Sequence, residues 1–389
     1  MAALAAVSCG VRAPKEETMA QLRERVFSLA QVQAEYMDSL LTDVMAGSDR
    51  PSAGWPCPRT FQGDTLVTSD IGWWTSGFYP GVLWRIHEET ADERFRDLAI
   101  KHTLPLAGLL DRETDHDIGF QLMSSFGHMT RICHSECCEG IFPDSILARG
   151  AATLAARFIP EAGVIRSWNW GPWNTPVIID NMMNLELLMR YGDREVAEKH
   201  ALSTAQNHFR EDGTTFHLVD YADDGSILGR QTVQGYADDT AWARGQAWAL
   251  YGYAMMAEYE KKNDPLERRF RSVAEKLEGW LLENLPEDGI PYWDFSQTDL
   301  RDASAGAIFA CGLLKQWRLR GCPDDDPALA MAERILRTLA SPEYLAEPRT
   351  NGGFLLKHSV GNLPGHSEVD VPLTYADYYF LEALTLLPR

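Results

Sequence analysis

The sequence predicts an all-α protein, an (α/α)6 barrel built from six helical hairpins. Three observations lead there. Apolar residues recur at three- and four-residue steps in segment after segment, giving about a dozen helices. Many of these helices recur in pairs, one small, apolar and aromatic and the next more charged. That pairing suits an inner ring buried on both sides and an outer ring wet on one. Strand and helix do not alternate, which argues against Rossmann and TIM architectures, and no repeat of about 34 residues marks a tetratricopeptide solenoid.

In chain order, TMAQLRERVFSLAQVQAEYMDSLL (18–41) opens with a Leu/Val/Ala stripe. FYPGVLWRIHEET (78–90) and ERFRDLAIKHTLPLAGLL (93–110) follow, then SILARGAATLAARF (145–158), NMMNLELLMRYG (181–192) and DREVAEKHALSTAQNHF (193–209). TAWARGQAWALYGYAMMAEYE (240–260) is small and aromatic, and PLERRFRSVAEKLEGWLLENL (265–285) is its charged partner. SAGAIFACGLLKQW (304–317) and ALAMAERILRTLA (328–340) repeat the pairing, and YADYYFLEALTLL (375–387) ends it. One stretch breaks the pattern: EDGTTFHLVDYADDGS (211–226) alternates like a short hairpin turning at Asp224-Gly225. No linker rich in Pro, Gly or Ser follows residue 20, so 21–389 reads as one domain. Residues 1–20 read as either a disordered terminus or the remnant of an export signal. The stretch up to Cys9 looks like the end of a bacterial lipoprotein signal, but it is short and lacks a basic start. Periplasm, with or without a lipid anchor at Cys9, and cytoplasm both remain open, as does the oligomeric state, a monomer included.

The chain has 389 residues, 45% of them hydrophobic, and a net charge of −20. That field repels nucleic acid and anionic membranes, and no apolar run reaches the roughly 18–20 residues of a membrane span. A small anionic ligand is still compatible, given a few basic groups placed locally. Twelve tryptophans, many in polar-aromatic clusters, hint at sugar rings stacking on indole. Seven cysteines, an odd count, speak against a full disulfide framework. CHSECCEG (Cys133, His134, Cys137, Cys138) has the spacing of metal ligands. No second such pair accompanies it, and a cysteine-rich turn between helices accounts for it as well, so no metal site is assigned.

Five segments carry chemistry. DIGWWTSGFYPGVLW places Trp73, Trp74 and Ser76 in a loop opening a helix, with core packing as the alternative role of the indoles. DHDIGF offers Asp117 beside His116, with Gly119 permitting close backbone approach; capping of a helix by Asp117 is the alternative. VIIDNMMNLELLMR sets a lone carboxylate, Asp180, among apolar residues after the cluster Trp168, Trp170, Trp173. In TVQGYADDTAWARGQAWALYGY, Arg244 and Trp248 share a helix face, suited to holding a carboxylate against an indole, or else to a surface Arg and a core Trp. GGFLLKHSVGNLPGHSEVDVPLTYADYYF is a long polar loop with Lys357, His358 and Ser359. Two carboxylates in one cleft are the usual equipment for glycosidic bonds. Asp180, among apolar and aromatic neighbours, is the better candidate for a raised pKa and a general acid, whereas Asp117 beside a histidine would ionise more easily.

These residues resemble a known family. WWTSGFYPG, HDIGF, RSWNWG, IIDNMMNLELL, QGYADDTAWARGQAWALYGY, YWDF, DASAGAI and VPLTYADYYFLEAL, running from about residue 20 to the end, are similar to the unsaturated glucuronyl hydrolases, glycoside hydrolase family 88. The resemblance implies the (α/α)6 barrel and removal of a 4-deoxy-4,5-unsaturated glucuronate from the non-reducing end of lyase-generated oligosaccharides. The implied chemistry is hydration of the C4=C5 vinyl ether. By motif, Asp180 is implied as general acid and base and Asp117 as a second essential carboxylate. Trp74, His116, Gln234, Arg244 and Trp248 are implied as substrate-binding residues, with His217 of TTFH a further polar contact. No metal or organic cofactor is expected. The loop at Lys357, His358 and Ser359 is expected to contact the next sugar and a sulfate on it. Rival readings are an unsaturated rhamnogalacturonyl hydrolase acting on pectin fragments and a non-catalytic helical glycan-binding protein.

Overall fold

The computed structural model of the chain describes residues 17–47, 54–132 and 140–388, so Cys9 and the cluster from Cys133 to Cys138 lie outside the described residues. Six helical layers alternate between two rings. The outer ring holds α1 (Met19–Gly47), α3 (Glu93–Thr103), α6 (Pro143–Ala155), α8 (Arg194–Asn207), α10 (Pro265–Asn284) and α12 (Pro327–Leu339). The inner ring holds α2 (Phe78–Thr90), the short pair α4 (Ile118–Met123) and α5 (Phe126–Ile132), α7 (Leu185–Tyr191), α9 (Ala243–Tyr259), α11 (Ala303–Leu319) and α13 (Thr374–Leu386). The inner ring closes on itself: α9 packs on α11, α11 on α13, α13 on α2, α2 on α5, α4 on α7, and α7 on α9. The chain is thus an (α/α)6 barrel.

Burial follows composition. In α9 every residue from Ala243 to Ala257 is buried, which is why this helix is small and aromatic all round. Its partner α10 buries Phe270, Ala274, Leu277 and Leu281, an i, i+4, i+7, i+11 stripe, with Glu267 and Glu278 buried beside it and most other charges wet. Aspartate is the habitual N-cap here: Asp92, Asp193, Asp264, Asp302 and Asp326 each accept the amide two residues on. Pro105 and the turn after Ile178 convert two expected helical stretches into 3-10 segments, Leu104–Leu109 and Ile179–Asn184.

Strands occupy loops, chiefly at one end of the barrel. β1 (Cys57–Gln62) and β2 (Thr65–Ser69) form one hairpin, and β3 (Phe158–Ile159) and β4 (Val164–Ile165) a minimal one. The expected hairpin near Asp224-Gly225 is present as β6 (Leu218–Tyr221) and β7 (Ile227–Gln231), with Gly225 in the left-handed region at φ 81°. A third strand, β5 (Thr175–Ile178), joins it in antiparallel register, Val177 opposite Val219. β8 (Ser359–Asn362) and β9 (Ser367–Val371) make the last hairpin, just before α13. The loops entering α2, α4, α7, α9 and α13 all lie at the N-terminal mouth of the inner ring. Among the described residues no helix is long and apolar enough to cross a membrane.

Candidate active site

The mouth holds a cleft of about 440 Å³ lined by Trp73, Trp74, His116, Asp117, Trp168, Asp180, His217, Gln234 and Arg244 among others. A contiguous arm of about 400 Å³ shares Trp73, Trp74, Asp117, Gln234 and Arg244 and runs on to Arg59, Arg112 and the β8–β9 hairpin. Segments far apart in sequence reach the cleft because small residues let their backbones touch. A Cβ on Gly119 would meet Asn184 Cα at 2.5 Å, so only glycine brings the Asp117 segment against the Asp180 segment. Asn184 then accepts the Phe120 amide at 2.8 Å. On the opposite side, a Cβ on Gly252 would meet Met182 Cβ at 2.5 Å, so α9 seats directly on the turn holding Asp180. Gln121 pins the tryptophan loop, its amide donating to the carbonyls of Ile71 and Trp73 at 3.1 and 2.9 Å.

Neither carboxylate caps a helix. Asp117 precedes α4 without any side-chain cap bond, unlike the five aspartates that do cap. Asp180 lies inside the Ile179–Asn184 turn, and its Oδ2 is buried without a hydrogen-bond partner among the described residues. The strand β5 delivers it there, and the Ile179 amide donates to the His217 carbonyl at 2.9 Å. Burial pushes the Asp180 carboxyl up to about 7, against the opposing pull of Arg244, a backbone amide and the Trp248 indole. Asp117 is also raised, by burial and by the charges of Asp115 and Asp180. This corrects the expectation that Asp117 ionises easily. His116, 3.4 Å away, gives it no positive charge, because burial and Arg157 push the imidazole down to about 3. Two raised carboxyls in one cleft keep a proton in the site near neutral pH.

His217 accepts the amides of Val233 and Gln234 at Nδ1, at 3.0 and 3.2 Å, which leaves the ring proton on Nε2. That nitrogen faces Asp180 Oδ2 at 3.8 Å. Burial, with Arg244 and His208, pushes His217 down to about 3, so it is a neutral donor. Arg244 is buried, donates to the carbonyls of Val360 and Gly361, and lies 3.6 Å from Asp302. Its guanidinium stacks on Trp242 at 4.6 Å. Trp248 is fully buried under Asp180, outside the cleft lining. Trp74 packs against Tyr375 at 4.8 Å, and Trp168 stacks on Trp170 at 5.9 Å on the opposite wall.

The structure therefore brings together Asp117, Asp180, Trp74, His116, His217, Gln234 and Arg244, with Trp248 beneath them. Lys357 and Ser359 do not reach the cleft. The Lys357 ammonium donates to the Pro342 carbonyl at 2.8 Å, and Ser359 is fully buried under its hairpin. Their hairpin does meet the cleft, but through Gly361, Asn362, Ser367 and Glu368. Asp115 and Arg112, overlooked in the sequence, also line the arm. The carboxylate two residues before Asp117 and the arginine three before that were visible in RETDHDIGF.

No family model matches the chain. An unsaturated glucuronyl hydrolase of Formosa agariphila is 38% identical over 327 residues, covering 80% of this chain and 79% of that one. One from a Bacillus species (strain GL1) is 32% identical over 345 residues, covering 83% and 88%. The crystal structure of an unsaturated glucuronyl hydrolase specific for heparin superposes with a TM-score of 0.82 at 38% identity, over 94% of this chain and 96% of that one. Barrel, tryptophan walls and paired raised carboxyls are the build of a glycoside hydrolase. The chain belongs to the unsaturated glucuronyl hydrolase family.

Proposed function

We propose that this protein removes a 4-deoxy-4,5-unsaturated glucuronate from the non-reducing end of a lyase-generated glycosaminoglycan fragment. One observation carries the reading: a carboxyl held near pKa 7, with an unsatisfied oxygen, at the floor of a tryptophan-walled cleft that also presents a buried arginine. A vinyl ether needs a proton donor at C4, and a carboxyl half-protonated at neutral pH is such a donor. Asp180 gives its proton to C4, and the cation at C5 is shared with the ring oxygen. Asp180, now a carboxylate, takes a proton from the water that adds to C5. The resulting hemiketal opens by breaking the bond from C5 to the ring oxygen, leaving a ketone at C5 and a hemiacetal at C1 that releases the remaining sugar. Asp180 ends as it began. His217 Nε2–H and Trp248 stabilise its ionised interval. Arg244 is placed to bind the uronate carboxylate, with Gln234 and His116 on the ring hydroxyls and Trp74 against the ring face. Asp117, kept protonated, donates a hydrogen bond rather than adding a second charge.

The conjugated double bond absorbs in the ultraviolet and its hydration abolishes that band. Disaccharides made by lyases from heparin, chondroitin and hyaluronan lose the band with wild-type protein, while Asp180→Asn lowers the rate by at least about 10³-fold. A folded wild-type protein that leaves all three bands intact rejects this substrate class. Cell fractionation of the source bacterium decides between periplasm and cytoplasm, the two compartments that lyase products reach.

A further inference from the structure

The proposed mechanism gives no task to the ion pair of half-buried Arg112 and buried Asp115 at the cleft. Asp115 is 4% exposed and lies between three segments. Its Oδ1 accepts the backbone amide of Asp117 at 3.1 Å. Its Oδ2 accepts the Thr114 hydroxyl at 2.9 Å and a guanidinium nitrogen of Arg112. Arg112 also donates to Thr114 Oγ1 at 3.0 Å and to the carbonyl of Gly72, the residue before Trp73. On the other side, Asp115 pairs as an antiparallel bridge with Trp168, and the His116 amide donates to the Ser167 carbonyl at 2.9 Å. Both tryptophan walls and the Asp117 peptide thus converge on a single arginine–carboxylate contact. Bidentate or multiply anchored arginines fix geometry better than any neutral contact.

We propose that Arg112 and Asp115 are a positioning pair. Asp115 holds the peptide that carries the Asp117 carboxyl, and Arg112 sets that peptide at a fixed distance from the Trp73–Trp74 wall. The pair acts through Asp117, so its catalytic consequence rests on the function proposed above, while its geometric and electrostatic consequences do not. The charged and titratable groups facing Asp117 are Asp115, Asp180, Arg112, Arg157 and His116. Of these, Asp115 and Arg112 act in opposite senses: the carboxylate favours protonated Asp117, the guanidinium favours its ionised form. Opposite shifts report that both charges act on Asp117, and a fall in kcat in Arg112→Lys, which keeps the charge and loses the fork, reports the positioning.

The test is a titration of Asp117 by carbon-13 NMR in protein labelled at aspartate Cγ, with Asp117→Asn assigning the signal and no substrate required. Arg112→Met moves the midpoint up and Asp115→Asn moves it down, each by roughly half a pH unit or more. On an unsaturated disaccharide both variants lose about tenfold or more in kcat with KM changed by less than about threefold. Midpoints that stay put, or that move together, overturn the proposal, and so does an unchanged kcat in both variants. Should Asp115→Asn fail to fold, Arg112→Met and Arg112→Lys decide. Lysine keeps the charge but loses the fork, so its midpoint stays near wild type while kcat still falls. Equal midpoint shifts in the two arginine variants also overturn the pairing. If wild-type protein turns over no unsaturated disaccharide, the functional reading fails on its own, and the opposite shifts of the Asp117 midpoint still test the pair.

Discussion

In the proposed mechanism the proton that makes Asp180 an acid comes at the expense of stability. The folded-state pKa is raised from the ordinary 3.8 to about 7, so the native state binds a proton that the unfolded chain has already released. Stability from this group is therefore intact below about pH 4 and is lost as pH rises, by about 1.4 kcal/mol per unit, until the folded carboxyl ionises near 7. The full loss above that point is on the order of 4 kcal/mol, since the side chain is only 14% exposed. Asp180→Asn removes the penalty. Denaturant unfolding should show the variant gaining more at pH 8 than at pH 5, by roughly 2–3 kcal/mol. The same raised value makes the alkaline limb of kcat/KM in wild type fall through about pH 7, because the acid must be protonated to act. A variant no more stable at pH 8 than at pH 5, or an alkaline limb far above 8, would sink this assignment.

Gly119 shows how an element's contact becomes function. α4 begins at Ile118, and a methyl group on Gly119 would overlap the backbone of Asn184, which cannot retreat because α9 packs behind it through Gly252. Gly119→Ala is expected to cost about 2–3 kcal/mol and to lower kcat by roughly tenfold or more by prising the Asp117 and Asp180 segments apart. Melting temperature and turnover measured on the same preparation check it; a full-rate variant would mean the two segments can slide without harm. The helical framework was legible in the sequence because α10 and α12 write their buried stripes in plain 3-4 spacing, and α9 and α11 are apolar all round. Asp180 was legible for the same reason, as a charge in an apolar run. The hairpins were less so. β1–β2 turns on Gly63-Asp64, a recognisable signal, with φ of 54° and 60°. β8–β9 hides its geometry, since His358, His366, Glu368 and Asp370 all take the left-handed conformation that glycine ordinarily marks. That hidden bending sends Lys357 away from the cleft and brings Glu368 toward it. The proton affinity of Asp117 was misread because burial of His116, a tertiary fact, removes the charge that its position in the sequence suggests.

The whole molecule carries a net charge of −20, yet its proposed substrate is an anion. The mouth of the barrel does not simply reverse that field. Three arginines line the cleft arm, and each faces a carboxylate: Arg59 with Glu368, Arg112 with Asp115, and Arg244 with Asp302. Close to the cleft these pairs cancel to first order, leaving short-range hydrogen bonds and the N-terminal ends of the inner helices to recognise the uronate. Farther out, but still within the long Debye length of low ionic strength, the net charge is what the incoming disaccharide feels, and it repels. Raising ionic strength from about 10 to about 150 mM shortens that length from roughly 30 to 8 Å and so removes more repulsion than attraction. kcat/KM for an unsaturated disaccharide should therefore rise over this range, by roughly twofold, while the methyl ester of the same disaccharide, which lacks the charge, shows no comparable rise. Initial rates at substrate concentrations well below KM measure it directly. A fall in kcat/KM with salt would mean that the arginines are not neutralised by their partners when substrate arrives, and that Arg244 steers the uronate from a distance as well as binding it on contact.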